Sequence, residues 1–214
     1  MDQNVILVET VPLEFDLESL GCRLRIRPGQ TKFMDRLSRL AEEAARVARP
    51  KAVARLCGLT ILDEEKVQVG EVTFSSPLLR QKMDGLGRAF PYLASEGTEL
   101  ADWSLSLSSS LEQVFASALR EVAVQQAENL LERTLLERYG IAQVSAMNPG
   151  SLKVWSLEEQ VPLFELLAPL PEKLGVTLLP SLMMRPEYSV SGVFFQTDSK
   201  FYNCQLCPKK ECPN

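Results

Sequence analysis

The chain has 214 residues, of which 45% are apolar and 24% charged, and its net charge is −5. This composition is typical of a globular protein with a sizeable core, and the acidic charge indicates no nucleic-acid partner. The absence of histidine excludes Ser-His-Asp triads, Cys-His pairs and HExxH zinc sites. No stretch approaches the ~18 apolar residues of a membrane span, and the N-terminus lacks the basic region of a signal peptide, so we expect a cytoplasmic protein without membrane contact.

The first half of the chain alternates predicted strands and helices. Apolar residues at three- and four-residue spacing indicate an amphipathic helix, and β-branched residues broken by glycine and aspartate indicate short strands. Ser76 followed by Pro77 is a helix start. The predicted strands are residues 4–11, segments within 52–74, and 88–97, and the predicted helices are 31–50, 76–85 and 98–107.

The second half contains the strongest helical pattern. Ser109 and Glu112 form a predicted capping box, and the apolar periodicity continues to Gly140. A strand over 141–150, a shorter helix with a second capping box and a terminal hairpin follow. Strands interleaved with helices predict an α+β fold with a mixed or antiparallel twisted sheet and flanking helices.

Three of the five cysteines lie in the last eleven residues. Cys204, Cys207 and Cys212 have the spacing C-x2-C-x4-C, which in a reducing compartment indicates a metal or redox site rather than a disulfide framework. Three thiolates leave a fourth position for Cys22, Cys57, solvent, a substrate or another protein. Zinc would hold the tail together, and an iron-sulfur cluster would make the protein redox-active. Free thiols are the remaining alternative.

Residues 174–202 carry the most specific pattern in the chain. The stretch reads LGVTLLPSLMMRPEYSVSGVFFQTDSKFY, which is similar to a family run of the form T-G-x-x-L-T-E-S-x-x-M-x-P-x-x-S-V-S-G-x-x-F, followed by D-S-K-Y-Y. The matching residues are Gly175, Leu178, Ser181, Met184, Pro186, Ser189, Val190, Ser191, Gly192, Phe195, Asp198, Ser199, Lys200 and Tyr202. This stretch resembles the C-terminal half of the activation domain of cobalamin-dependent methionine synthase.

Two upstream segments extend the resemblance to about residues 110–202. Pro149 and Gly150 match the family's R-x-x-P-G-Y-P turn, and Ala127–Arg133 is similar to the A-E-x-L-x-E-R segment of the family's long helix. We therefore divide the chain into an N-terminal α/β portion of the same domain, an activation-domain-like core and a Cys-rich tail. Their bounds are 1–108, 109–203 and 204–214.

The resemblance implies a stand-alone activation-domain protein. The family's domain binds S-adenosylmethionine and presents it to cobalamin on a neighbouring domain, so that inactive cob(II)alamin is reductively methylated. This chain lacks the D-x-H-x-x-G motif of cobalamin-binding domains, so a partner would supply the corrinoid. That partner would be a corrinoid-binding protein or a B12-dependent methyltransferase. Whether the chain is itself an enzyme within such a system stays open.

The resemblance also implies a set of cofactor-binding residues. They are Glu128, Ala146, Asn148, Pro149, Gly150, Phe201 and Tyr202. Ala146 stands where the family has an arginine for the carboxylate of S-adenosylmethionine, and Ser151 and Phe201 stand where it has tyrosines. Losing the charged contact lowers affinity by about ten- to a hundredfold.

Two other functions remain open from the sequence. The first is a metal- or iron-sulfur-containing electron-transfer or interaction module that keeps this scaffold without binding S-adenosylmethionine. The second is a structural binding subunit whose cysteines are inert.

Overall fold

The computed structural model describes residues 3–151 and 154–198. The strands are β1 (Val5–Val8), β2 (Lys51–Arg55), β3 (Cys57–Ile61), β4 (Lys66–Val69), β5 (Val72–Ser75), β6 (Arg88–Ser95), β7 (Val144–Met147), β8 (Thr177–Leu178), β9 (Met184–Arg185) and β10 (Ser189–Gln196). The helices are α1 (Leu17–Arg23), α2 (Thr31–Val47), α3 (Pro77–Lys82), α4 (Thr98–Ser106), α5 (Ser110–Tyr139), α6 (Gln160–Leu167) and α7 (Leu170–Leu174).

Strand β6 lies at the centre of an antiparallel sheet that contains eight strands within the described ranges. It pairs with β2 and β3 and also with β10, which in turn pairs with β7. In this register Tyr92 lies opposite both Ala54 and Gly192. Strands from before and after residue 109 thus share one sheet, and the predicted α+β fold with an antiparallel sheet is confirmed.

Helices cover both faces of this sheet. The C-terminal half of α5 packs against Phe90, Tyr92 and Phe194 on one face. Helices α6 and α7 pack against Leu93 and Val193 on the other. This division follows from the alternation of side chains along a strand, which sends adjacent residues of β6 to opposite faces. Because both faces are covered, seven of the eight residues of β6 are buried.

The N-terminal half of α5 packs against α1, α2 and α4 instead of the sheet. The predicted capping box at its start is wrong, because Ser109 makes no side-chain capping bond. The Glu112 carboxylate accepts a hydrogen bond of 2.9 Å from Arg39 Nη2 on α2. A guanidinium from the neighbouring helix therefore replaces the expected backbone N–H as its partner.

Two serines were predicted to cap helix starts, and only one of them does. Ser76 caps α3 as predicted, since its hydroxyl accepts the Leu79 N–H at 3.2 Å. The second predicted capping box, Ser156 with Glu159, is wrong, because Ser156 makes no such bond and a 3-10 turn over Leu157–Glu159 precedes α6. Pro162 lies in the first turn of α6, where its missing N–H would have no helical partner.

Helix α1 was not predicted from the sequence. Asp16 caps it by accepting hydrogen bonds from the N–H groups of Glu18 and Ser19, both at 3.1 Å.

The predicted second strand of the terminal hairpin lies outside the described residues. No helix in ranges 3–151 and 154–198 has the length and apolar content needed to cross a membrane.

Candidate functional site

A buried polar network joins α5 to the sheet. Tyr92 on β6 is fully buried, and its hydroxyl donates to Glu128 Oε1 on α5 over 2.6 Å. The same hydroxyl accepts a hydrogen bond of 2.8 Å from Asn148 Nδ2, which also donates to the Ser191 carbonyl at 2.9 Å. Three segments distant in sequence therefore meet at one tyrosine hydroxyl, and Asn148 links them to a fourth.

The pairing of β7 with β10 positions Asn148. Met147 is opposite Val193 in this ladder, so the next residue along the chain extends beyond the last pair and its amide reaches the β10 backbone. Gly192 leaves the space that this contact needs. A Cβ atom there would lie 2.4 Å from the Met147 carbonyl oxygen and 2.6 Å from Asn148 Nδ2. The glycine of the S-V-S-G pattern is thus required by close packing.

The electrostatic surroundings keep the Tyr92 hydroxyl protonated. Burial raises the pKa of Tyr92 well above its ordinary value, and the nearby Glu128 carboxylate raises it further. Both effects disfavour the phenolate, because a second negative charge would be buried beside the first. The ring stacks on Phe194 with 3.9 Å between centroids. Tyr92 is therefore a fixed neutral donor that orients the half-buried Glu128 carboxylate.

The Pro149–Gly150 turn has a backbone held by the segment that follows it. Gly150 has a φ of +78°, which favours glycine, and its N–H donates to the Trp155 carbonyl at 2.9 Å. A Cβ atom on Gly150 would lie 2.8 Å from Leu157 Cδ1. Pro149 is buried. The turn is therefore closely packed and directly follows the Asn148 contact.

Ala146 lies on β7, opposite Phe194, and packs beside the apolar cluster that contains Tyr92. Alternation along β7 places positions 146 and 148 on the same face. The structure thus brings Glu128, Ala146 and Asn148 to the α5 face of the sheet and sets the Pro149–Gly150 turn beside them. Ala146 contributes only a methyl group, so no cation extends from this position.

The other predicted site residues lie outside the described residues. They are Phe201 and Tyr202 from the hairpin and the thiols Cys204, Cys207 and Cys212 from the tail.

No group of three or more His, Cys, Asp or Glu residues in the described ranges is arranged to hold a metal ion. Cys57 is buried in the apolar cluster beneath α6, and burial raises the pKa of its thiol to about 11. It is therefore a protonated core residue and a poor candidate for a thiolate ligand. Cys22 is exposed on α1.

Sequence reasoning missed Tyr92, the residue on which the network centres. Its signal was present, because a tyrosine within the buried strand "RAFPYLAS" needs a partner for its hydroxyl. The identity of that partner was not readable, since Glu128 and Asn148 lie 36 and 56 residues away in sequence.

Fold and network together define an α+β protein in which a long helix covers an antiparallel sheet and a buried tyrosine joins the two. A similar solved structure is the crystal structure of the MetH reactivation domain bound to AdoHcy. The TM-score is 0.62 and the identity 17%, and the match covers 92% of this chain and 80% of that chain. At this identity the likeness shows a shared fold, which confirms the fold implied by the sequence resemblance. No protein-family model matches the sequence, and comparison with curated proteins gave no match.

Proposed function

We propose that the protein is an accessory factor for the reductive reactivation of a corrinoid protein or a B12-dependent methyltransferase. The observation that carries this proposal is the fold shared with the MetH reactivation domain over 92% of the chain. The sequence patterns supply independent support, because the segments that resemble the activation domain contain Glu128, Asn148 and Gly192, which lie in or against one network. The corrinoid itself belongs to the partner.

S-adenosylmethionine is the proposed methyl donor. Among the described residues the donor set fits it except at positions 146 and 151, where the family has an arginine and a tyrosine. Glu128 offers a carboxylate to a cationic or hydroxyl-bearing ligand, and the Pro149–Gly150 turn offers a fixed backbone. Ala146 offers no positive charge to the ligand's carboxylate. When bound, S-adenosylmethionine supplies a methyl group on a good leaving group. The residues of this chain orient it and keep the Glu128 carboxylate in place through Tyr92.

Two titrations test the proposal. The full chain is titrated calorimetrically with S-adenosylmethionine and separately with a cobalamin-loaded methyltransferase, with adenosine as the control ligand. We expect saturable binding of the methyltransferase, and binding of S-adenosylmethionine that the Glu128→Gln variant weakens. With a reductant present, the complex should convert cob(II)alamin to the methylated form only when S-adenosylmethionine is added. Absence of binding in both titrations would remove the proposal.

A gain-of-function variant tests the missing charge. Ala146→Arg should tighten S-adenosylmethionine binding by about ten- to a hundredfold, because it adds a charge-assisted contact to the carboxylate. Ala142→Arg is the matched control, since it places the same cation at an exposed position just before β7. Equal affinities for the two variants would show that position 146 does not bind the ligand's carboxylate. Ala146→Lys provides a second version if the arginine lowers stability.

A second candidate function is a metal- or iron-sulfur-containing electron-transfer or interaction module. It is favoured by the C-x2-C-x4-C spacing in the proposed tail, residues 204–214, and by the neutral residue at position 146. Metal analysis and an absorption spectrum on protein prepared without oxygen separate a coloured iron-sulfur cluster from stoichiometric zinc. A triple serine variant of the tail that binds its partner unchanged would instead favour inert cysteines.

A further inference from the structure

A cavity of about 430 Å³ lies beside the edge strand β1. Its apolar wall comes from Val5 and Leu7 on β1, from the connection between α6 and α7, and from Leu170 at the start of α7. Charged side chains complete the lining. They are Arg55 from β2, Arg138 from α5, Lys173 from α7 and Glu9. Three cations from three different elements thus converge on one concave surface in a chain whose net charge is −5.

The sheet separates this cavity from the Tyr92 network. Val5 and Leu7 pair with Arg55 and Val53 in the β1–β2 ladder, and directly opposed residues share a face. Val53 packs in the cluster beneath α6 and α7, whereas Tyr92 packs beneath α5. The cavity is therefore a different place from the candidate cofactor site, and the inference does not depend on the proposed function.

Main-chain carbonyls anchor both guanidinium groups of the cavity. Arg138 donates from Nη1 to the Val5 carbonyl at 3.1 Å and from Nη2 to the Gln3 carbonyl at 2.6 Å. Arg55 donates from Nη1 to the Leu166 carbonyl at 2.7 Å. A neutral carbonyl orients a guanidinium without cancelling its charge. Both groups are thereby preorganised, and Arg138, whose partners are neutral carbonyls, remains positive toward the cavity.

Carboxylates compensate only part of this positive charge. Glu71 lies 3.1 Å from Arg55, but its side chain is 62% exposed at the rim. In the described ranges no carboxylate lies within ion-pair distance of Arg138 or Lys173. Glu9 is the acidic residue of the lining. Low-dielectric walls concentrate the excess positive potential inside the concave surface.

We propose that this cavity binds a small organic anion. Its apolar body contacts Val5, Leu7 and Leu170, and its phosphate or carboxylate group binds between Arg138 and Lys173. A guanidinium presents parallel N–H donors to either group, and a lysine ammonium adds a point charge. The volume suits a ligand no larger than about a mononucleotide.

Calorimetric titrations of the full chain at low ionic strength test the proposal. AMP and citrate are the phosphate and carboxylate probes, and adenosine is the uncharged control. We expect saturable one-to-one binding of AMP, citrate or both, and none of adenosine. The affinity should fall by about tenfold when salt is raised to about 0.2 M, because the contacts are partly exposed. A preference for AMP identifies a phosphate ligand, and a preference for citrate a carboxylate ligand.

Variants locate the site. Lys173→Glu should weaken binding by about tenfold or more, and Lys66→Glu, an exposed lysine on β4 outside the cavity, should have a much smaller effect. Arg138→Gln should also weaken binding, but it removes two bonds to the β1 segment and can lower stability. Lys173 is exposed and makes no such bond to any described residue, so a loss of binding in its variant reports on the ligand contact. Lack of saturable binding of both anions at millimolar concentration, or binding that Lys173→Glu leaves unchanged, would overturn the proposal.

Discussion

Two polar clusters lie on α5, and they differ in how deeply their charged groups are buried. In the first, Arg120 binds Glu96 through two hydrogen bonds, from Nε at 2.6 Å and from Nη2 at 2.7 Å. In the second, Tyr92 links Glu128 to Asn148. Arg120 and Glu128 are eight residues apart, so the clusters are separated by about 12 Å along the helix.

The first cluster is almost completely buried, although Arg120 Nη1 also lies 3.9 Å from the exposed Glu187 carboxylate. Glu96 is 0% exposed and Arg120 8%. The Tyr188 N–H also donates to Glu96 Oε1, and the Tyr188 ring lies 4.4 Å from the Arg120 guanidinium carbon. In the second cluster the half-buried Glu128 carboxylate accepts its hydrogen bond from a neutral tyrosine. The Arg120 guanidinium neutralises a fully buried carboxylate, whereas Tyr92 orients a half-buried carboxylate without adding a charge. The difference teaches that a fully buried carboxylate needs a cation beside it and a half-buried one does not.

The largest expected effect comes from removing the cation of the buried Arg120–Glu96 pair. Arg120→Met leaves the Glu96 carboxylate buried without its cation and should lower the free energy of unfolding by about 3–5 kcal/mol in urea denaturation. The exposed pair between Arg23 and Glu121 provides the control, since Arg23→Gln should cost less than about 1 kcal/mol. Similar losses of unfolding free energy in both variants would show that the buried pair contributes no more than the exposed one.

The same variant should respond to pH. Burial raises the pKa of Glu96 above its ordinary value of 4.5, and Arg120 opposes that rise. With Arg120 removed, the folded state binds the proton more tightly than the unfolded state, so stability falls as pH rises from 4.5 through the raised folded pKa. The Arg120→Met variant should therefore regain part of its lost stability in acid. Urea denaturation at two pH values measures this.

A second test fills the space beside Gly192 that the Tyr92 cluster requires. Gly192→Ala places a Cβ atom 2.4 Å from the Met147 carbonyl oxygen and 2.8 Å from Tyr92 Cε1, so the β7 backbone must shift. We expect a loss of about 1–3 kcal/mol in the free energy of unfolding. Gly58→Ala is the matched control on β3, where a Cβ atom has no neighbour within 4 Å. It should change stability by less than about 1 kcal/mol.

A third test removes one hydroxyl. Tyr92→Phe leaves the ring stacked on Phe194 but deprives Glu128 of a donor and Asn148 of an acceptor, which should cost about 1–2 kcal/mol in urea denaturation. Tyr188→Phe keeps the ring over Arg120 and should be close to neutral. A double-mutant cycle of Tyr92→Phe with Glu128→Ala, each of which removes the bond, should show coupling. Additive losses would mean that the 2.6 Å bond contributes little.

The smallest effect concerns Glu159, a carboxylate with a hydrogen-bond partner among the described residues on one of its two oxygens. Glu159 Oε1 accepts the Ser75 N–H at 3.2 Å, and its buried Oε2 has no hydrogen-bond partner within the described residues. Burial raises the pKa of Glu159 above its ordinary value of 4.5. Its contribution to stability is therefore greatest below pH 4.5 and is lost as pH rises through the folded pKa.

Glu159→Gln imitates the protonated form and should raise the free energy of unfolding at neutral pH by a fraction of about 1 kcal/mol, because the residue is only half-buried. In acid the variant and the original chain should have equal stability. Glu158→Gln, at the exposed neighbouring position, should change stability at neither pH. A loss of stability at neutral pH in Glu159→Gln would show that the charged form has a partner.

Local patterns in the sequence determined most helices and strands of this protein. The apolar periodicity of α5, the Ser76 cap of α3 and the glycine that ends α5 depend on contacts within a few residues. Gly140 indeed ends α5 in the left-handed conformation. The first strand of the predicted terminal hairpin corresponds to β10, and the resemblance around it implied the fold that the structure confirms. These features are readable because neighbours in sequence are sufficient to produce them.

Only the tertiary structure decided which polar groups become partners. Glu112 binds Arg39 from 73 residues away instead of capping its own helix. Tyr92 meets Glu128 because α5 packs on β6, and Arg138 reaches the edge of β1 because α5 ends there. Composition and spacing do not predict such pairs. The free energy of a buried hydrogen bond or charge depends on its partner, and that partner lies on a distant segment that packing places within about 3 Å.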